Sequence, residues 1–185
     1  MDVLGDSLAA GMDTAALSFT AAFAGLALHS TLVDVPMLLD LKGQTMITVF
    51  GSLFPRLRSL QTYNIAIASA LSLLRIALFD APVQLQLAHA FNALILVSIF
   101  AYTVKVMLPG NQELVEMARS PSNFEEKRCR QLIENWGDLH FFRTLLSCTS
   151  VLLLTFAGFW TMALYYGHGQ AETPLLGQAE TPLLV

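Results

Sequence analysis

Between Arg143 and Glu172 the chain runs through 28 residues without an Asp, Glu, Lys or Arg. Three more such stretches precede it: 20 residues between Asp13 and Asp34, 16 between Arg58 and Arg75, and 24 between Asp80 and Lys105. Domains that fold in water carry about 25% charged residues; this chain of 185 carries 13%, and 55% of it is apolar. A bilayer core needs roughly 20 apolar residues of helix. The four stretches therefore predict four membrane spans, at about residues 14–35, 57–79, 83–108 and 139–166, packed as an all-α four-helix bundle. Arg75 falls inside the second span, where it is expected to snorkel to the headgroups. A soluble bundle would need a polar stripe on every helix, and a stretch such as 151–159 offers none.

The sign of the charges sets a topology. Four spans put loops one and three on one side, and nine of the ten basic residues fall there; only Arg75 is opposite. The positive-inside rule then puts those loops in the cytoplasm and both termini outside or in a lumen. A net charge of -4 leaves no basic surface for nucleic acid. Cys129 and Cys148 form no CxxC, so neither a disulfide framework nor a cysteine metal site is supported. Residues 1–13 hold Asp2, Asp6 and Asp13 and no basic segment, so the first span is expected to stay as an anchor. The membrane domain is expected to end near residue 168. Beyond it, GQAETPLL occurs twice in tandem, and 169–185 reads as a disordered low-complexity tail.

The third loop carries a helix signal of its own. Ser122 with Glu125 forms a capping-box pattern. Cys129, Leu132, Ile133 and Trp136 then recur at helical spacing, opposite Glu125, Glu126, Arg128 and Gln131. This predicts an amphipathic interfacial helix over about 122–136, with a bend at Gly137 before the fourth span. Ala21-x-x-x-Gly25 and Ala66-x-x-x-Ala70 read as close-packing positions between spans.

In this topology all four spans bring polar groups to the cytoplasmic mouth. His29 and Asp34 end the first span. Arg56, Arg58, Gln61, Tyr63 and Asn64 open the second. Lys105 and Pro109-Gly110-Asn111 close the third. Trp136, His140 and Arg143 share one stripe of the fourth. Arg56, Arg58 and Lys105 read as topology charges. His29 interrupts an otherwise apolar span, and a packing role and a site role stay open for it, as they do for His140 with Arg143. His89, with Asn92 one turn on, reads as interfacial at the opposite end. No metal site is expected, because two approaching histidines fall short of the three or four ligands a metal needs. GxSxG, HExxH, Walker and dinucleotide-binding patterns are all absent.

The run Gly25 … Leu32-Val33-Asp34-Val35-Pro36, then Pro109-Gly110-Asn111, then Trp136-x-x-x-His140-x-x-Arg143 resembles the anthrone oxygenase-like family of small four-helix membrane proteins. The resemblance covers about residues 25–156. Gly110 departs from it, standing where a hydroxyl residue is common. The resemblance implies oxidation of a polyketide anthrone to the quinone by molecular oxygen, with no metal, flavin or other cofactor. It also implies a base, His29 or His140, with Arg143 as partner of the anionic oxygen. Asn64 or Asn111 would be the donor, and Trp136 and Tyr63 the stacking surfaces for a hydrophobic aromatic substrate entering from the lipid. Three classes remain open. They are a membrane oxygenase on such a substrate, a non-catalytic membrane subunit or scaffold packed against partner membrane proteins, and, least supported, a small transporter. An apolar cavity with the polar groups converging on it would distinguish the first.

Overall fold

In the computed structural model, residues 3–120, 122 and 124–171 are described, with side chains to residue 164. Among them there is no strand. Helix α1 (Val3–His29) passes through a π-helical turn, Ser30–Asp34, into α2 (Val35–Asp40). Helix α3 (Gln44–Leu78) returns, and α4 (Val83–Tyr102) runs through a second π-helical turn, Thr103–Met107, into α5 (Leu108–Arg119). Helix α6 (Glu126–Ala171) completes four antiparallel rods. The α1 and α4 rods each pack on α3 and on α6, so α1 and α4 are diagonal in the bundle.

Three rods, Val3–Asp40, Val83–Arg119 and Glu126–Leu164, are long and apolar enough to cross a membrane. Their outer faces expose large apolar side chains such as Leu94, Phe141, Phe156 and Phe159. Water would strip these from the surface of a soluble domain, whereas lipid solvates them. The chain is accordingly a membrane protein. Helix α3 has the length but not the apolarity.

The helices run further than the charge-free stretches predict. The first loop shrinks to residues 41–43, and α3 starts at Gln44 rather than near residue 57. Gly43 makes this turn possible, at φ +57° and ψ -146°, a conformation essentially restricted to glycine. Hydropathy missed residues 44–56 because Arg56, Arg58 and several polar residues dilute them. Their apolar side chains are nonetheless buried: Met46, Ile47 and Phe50 are at most 2% exposed. They join Leu38, Leu114, Met117, Cys129, Ile133 and Trp136 in one core at the loop end of the bundle. A second core, Phe23, Ile65, Ala68, Leu96 and Ile99, fills the middle of the rods.

The amphipathic pattern over Cys129–Trp136 is buried in the first core instead of lying as a separate helix. It is the first part of α6, which begins at Glu126, later than the capping box places it. Helix α6 runs through Gly137 without interruption. A Cβ there would meet Val35 Cγ1 at 2.8 Å, so the glycine lets α6 approach α2. Gly51 likewise lets α3 approach Ala118 of α5. Ala21, Gly25, Ala66 and Ala70 are exposed on the outer surface, and do not pack between the rods. Residues 169–171 of the expected tail finish α6, and 172–185 lie outside the described residues.

Arg75 does not snorkel, and His89 is not interfacial. Arg75 is 5% exposed, its Nε donating to Asp13 Oδ1 at 2.7 Å and its Nη1 to the Phe79 carbonyl at 3.1 Å. His89 Nε2 lies 2.9 Å from the same carboxylate oxygen and its Nδ1 3.2 Å from Ser72 Oγ. Asn92 donates to Ser72 at 2.8 Å and accepts from Thr20 and Ser150. One hydrogen-bonded network therefore ties all four rods together. Its members are partnered, as low-dielectric surroundings require of buried polar groups.

Candidate functional site

The two π-helical turns sit at one level of the bundle, each just before a proline. Pro36 and Pro109 have no N–H to give the carbonyl four residues back, and their rings crowd it. The helix widens by one residue there instead of ending. The widened turns bring Ser30, Thr103 and Met107 to the wall of a cavity of about 370 Å³. Asn111 enters from the first turn of α5, Gln61 from the middle of α3, and Trp136, His140 and Arg143 from one stripe of α6. The cavity occupies the seam between the two apolar cores. Exposed Ser59, Thr62 and Tyr63 of α3, Phe100 of α4 and Val104 of the π-helical turn after it also line it, so it opens sideways between α3 and the α4 rod.

The buried wall of the cavity is polar and tightly organised. Arg143 Nη2 donates to Gln61 Oε1 at 2.7 Å and also to His140 Nε2. Its guanidinium carbon stands 5.6 Å from the centre of the Phe23 ring. Arginine can only donate, so His140 Nε2 accepts and the ring proton sits on Nδ1. There Thr31 Oγ1, 3.3 Å away, accepts it. Thr31 is held in turn by Thr144 Oγ1 at 2.8 Å. Trp136 is wedged edge-on between Phe50 and His140, with centroids 5.6 and 5.1 Å away.

Three donors in this wall have no acceptor. Arg143 Nε, Gln61 Nε2 and Ser30 Oγ are buried without a hydrogen-bond partner among the described residues. The Asn111 side chain, 3% exposed, is also unpartnered among the described residues. Orphaned donors each cost about 1–3 kcal/mol when nothing meets them. The residues that carry them all line one cavity.

Of the residues expected from sequence, His140, Arg143, Asn111, Trp136 and Tyr63 line this cavity, with Tyr63 at its exposed rim (67% exposed). His29 does not. Its side chain is 59% exposed, with Nδ1 3.5 Å from Asp34 Oδ1. Asn64 turns back on its own helix, donating to the Leu60 carbonyl at 2.8 Å. In the sequence Gln61 stands only among the polar residues that open the second span, and Ser30 and Thr31 give no signal. Among the described residues no three His, Cys, Asp or Glu side chains gather closely enough to hold a metal ion.

A family model described as Anthrone oxygenase matches residues 50–153. The chain belongs to the anthrone oxygenase family. No curated protein and no solved structure matches it. The segment matched to the anthrone oxygenase model holds every residue lining the cavity except Ser30. It also holds Ser72, Arg75, His89, Asn92 and Ser150 of the four-rod network, but not Asp13 or Thr20.

Proposed function

We propose that this chain is a membrane oxygenase that oxidises a planar, hydrophobic, anthrone-like aromatic with molecular oxygen, with residues of the cavity as its catalytic apparatus. The observation that carries this reading is the set of orphaned donors and Arg143 in an otherwise largely apolar cavity open to the side. Apolar walls suit a fused aromatic ring system. The donors suit the oxygen on which charge develops when that ring system loses a proton.

In this reading the sequence's choice of base falls to His140, since His29 lies outside the cavity. The Nε2 lone pair is capped by Arg143. A substrate carbonyl oxygen takes over that Arg143 N–H and frees the lone pair. His140 then removes a proton from the ring CH2, and the electron pair passes into the ring system to leave an aromatic enolate, its oxygen facing Arg143 and Gln61. The enolate carbon is oxidised by O2, forming a C–O bond. The resulting peroxide anion recovers the proton from His140. Loss of water breaks the O–O bond and the remaining C–H bond and leaves the quinone. One O2 is consumed and one water released for each anthrone.

The same proposal includes the membrane arrangement. All four rods cross, with α3 spanning in spite of Arg75 because Asp13 neutralises it inside the bundle. The cavity end lies on the cytoplasmic side, and substrate reaches the gap between α3 and α4 from the lipid. Single cysteines placed at Asp80 and at Lys127 test the crossing. An impermeant maleimide should label them from opposite sides, and labelling from one side sinks the four-span arrangement.

The activity is tested by quinone absorbance on aerobic addition of anthrone to the purified protein in detergent. Turnover above the spontaneous rate is expected, reduced at least about 100-fold in His140→Ala, the usual scale of a lost acid–base group. Arg143→Gln should be similarly impaired, and His29→Ala should keep most of the activity. Absence of turnover together with absence of anthraquinone binding would favour the non-catalytic subunit instead.

A further inference from the structure

Two arginines line the cavity and no carboxylate does. Arg143 forms the buried wall and Arg58 the exposed rim, and none of the other lining residues is an Asp or a Glu. Arg58 has no hydrogen bond or ion pair with any described residue. The other buried arginine of the chain shows how different this is: Arg75 lies 2.7 Å from the carboxylate of Asp13. Cations within a bundle are costly and normally paired. Here the buried one is held only by neutral groups, Gln61, His140 and the Phe23 face, while Arg58, exposed at the rim, stands three residues before Gln61 on the same face of α3.

The oxidation proposed above brings one negative charge, on the enolate oxygen, and that charge appears only as the reaction proceeds. It answers Arg143. It leaves Arg58, exposed at the rim, without a partner among the described residues. We infer that the substrate is an aromatic acid, whose carboxylate pairs with Arg58 at the rim while the reacting ketone reaches Arg143 at the buried wall. This deepens the oxygenase reading and rests on it for the reaction, though not for the binding. The two arginines then have separable tasks. Arg58 binds a charge that is present throughout, so it holds substrate and transition state equally. Arg143 meets a charge that develops later. Removing Arg58 should therefore raise KM with little change in kcat, and removing Arg143 should lower kcat.

Binding of two product-like probes to the full chain in detergent tests the inference without any turnover. The probes are anthraquinone-2-carboxylate and its neutral isostere, anthraquinone-2-carboxamide, followed by quenching of tryptophan fluorescence. The unmodified protein should bind the carboxylate about tenfold more tightly, the scale of one charge-assisted hydrogen bond. Arg58→Gln should remove that preference and leave carboxamide binding unchanged, and Arg58→Lys should restore part of it. Equal binding of both probes by the unmodified protein would overturn the inference, as would an equal loss of both in Arg58→Gln. A preference that survives in phosphatidylcholine but disappears in phosphatidylglycerol would also overturn it, since Arg58 would then be a seat for an anionic lipid headgroup. If the preference holds but anthrone is not oxidised, the oxygenase reading fails and the acid-binding cavity stands.

Discussion

The lone pair of His140 is placed by two neighbours, one inside its sequence motif and one far from it. Arg143 donates to Nε2, and Thr31 accepts from Nδ1 at 3.3 Å. Thr31→Val keeps the side-chain volume and removes the acceptor, so the ring is free to take the other tautomer and present an N–H where the base is needed. Turnover of anthrone should fall about tenfold or more, with unchanged anthraquinone affinity; retention of full rate would show that Thr31 does not orient the ring. Gly43 is a residue-scale constraint of another kind. Its backbone conformation excludes a Cβ, so Gly43→Ala should lower stability by about 1–3 kcal/mol, read as a shift in thermal unfolding in detergent.

Helices α4 and α5 show what one proline does to an element. Pro109 sits in the first turn of α5, directly after the π-helical turn Thr103–Met107, and both parts of the rod line the cavity. Pro109→Ala restores the missing N–H, with up to about 3 kcal/mol of helix propensity in its favour. If the turn then relaxes to α-helix, one residue of helical phase, about 100°, is removed between Ile99 and Asn111. The expected outcome is a helix at least as stable and anthraquinone binding weakened several-fold. Undiminished binding would mean that the widened turn does not set the position of Asn111. Midway along α5, Arg128 of α6 grips both oxygens of Glu113, at 2.6 and 2.8 Å. The pair is largely exposed, so Glu113→Gln should leave the unfolding temperature essentially unchanged.

At the scale of the molecule, the bundle has two polar layers that differ in completeness. In the layer around Asp13, His89 and Arg75 the charged and polar groups satisfy one another across all four rods. The cavity layer leaves donors open. The first is therefore a clasp, and the second is the layer proposed as the site. Asp13→Asn leaves Arg75 buried without its counter-charge and should cost about 3 kcal/mol, seen as a lower unfolding temperature. The carboxylate preference of the cavity should survive in the protein that remains folded. A loss of stability no larger than that of an exposed aspartate would show that the network does not hold the rods together.

Which layer was legible in the sequence follows from the range of the interactions. Hydropathy and charge are summed along the chain, so the helical rods, the lipid-facing character and the gathering of polar residues at one end could be read directly. The stripe Trp136, His140, Arg143 was legible for the same reason, because helical period alone puts it on one face. The extra length of α3 was not, since Arg56 and Arg58 mask residues whose burial depends on α5 and α6. Partners lay beyond any local reading. Arg75 meets Asp13 across 62 positions, His89 meets Asp13 across 76, and Arg143 meets Gln61 across 82. Nothing local distinguishes a charge that snorkels from one that pairs, or a histidine that lines a cavity, His140, from one that faces outward, His29. The sequence by itself determined a helical membrane protein with a polar end and a family motif. The tertiary structure alone decided which cations found carboxylates and which were left facing a cavity, because that depends on packing between rods.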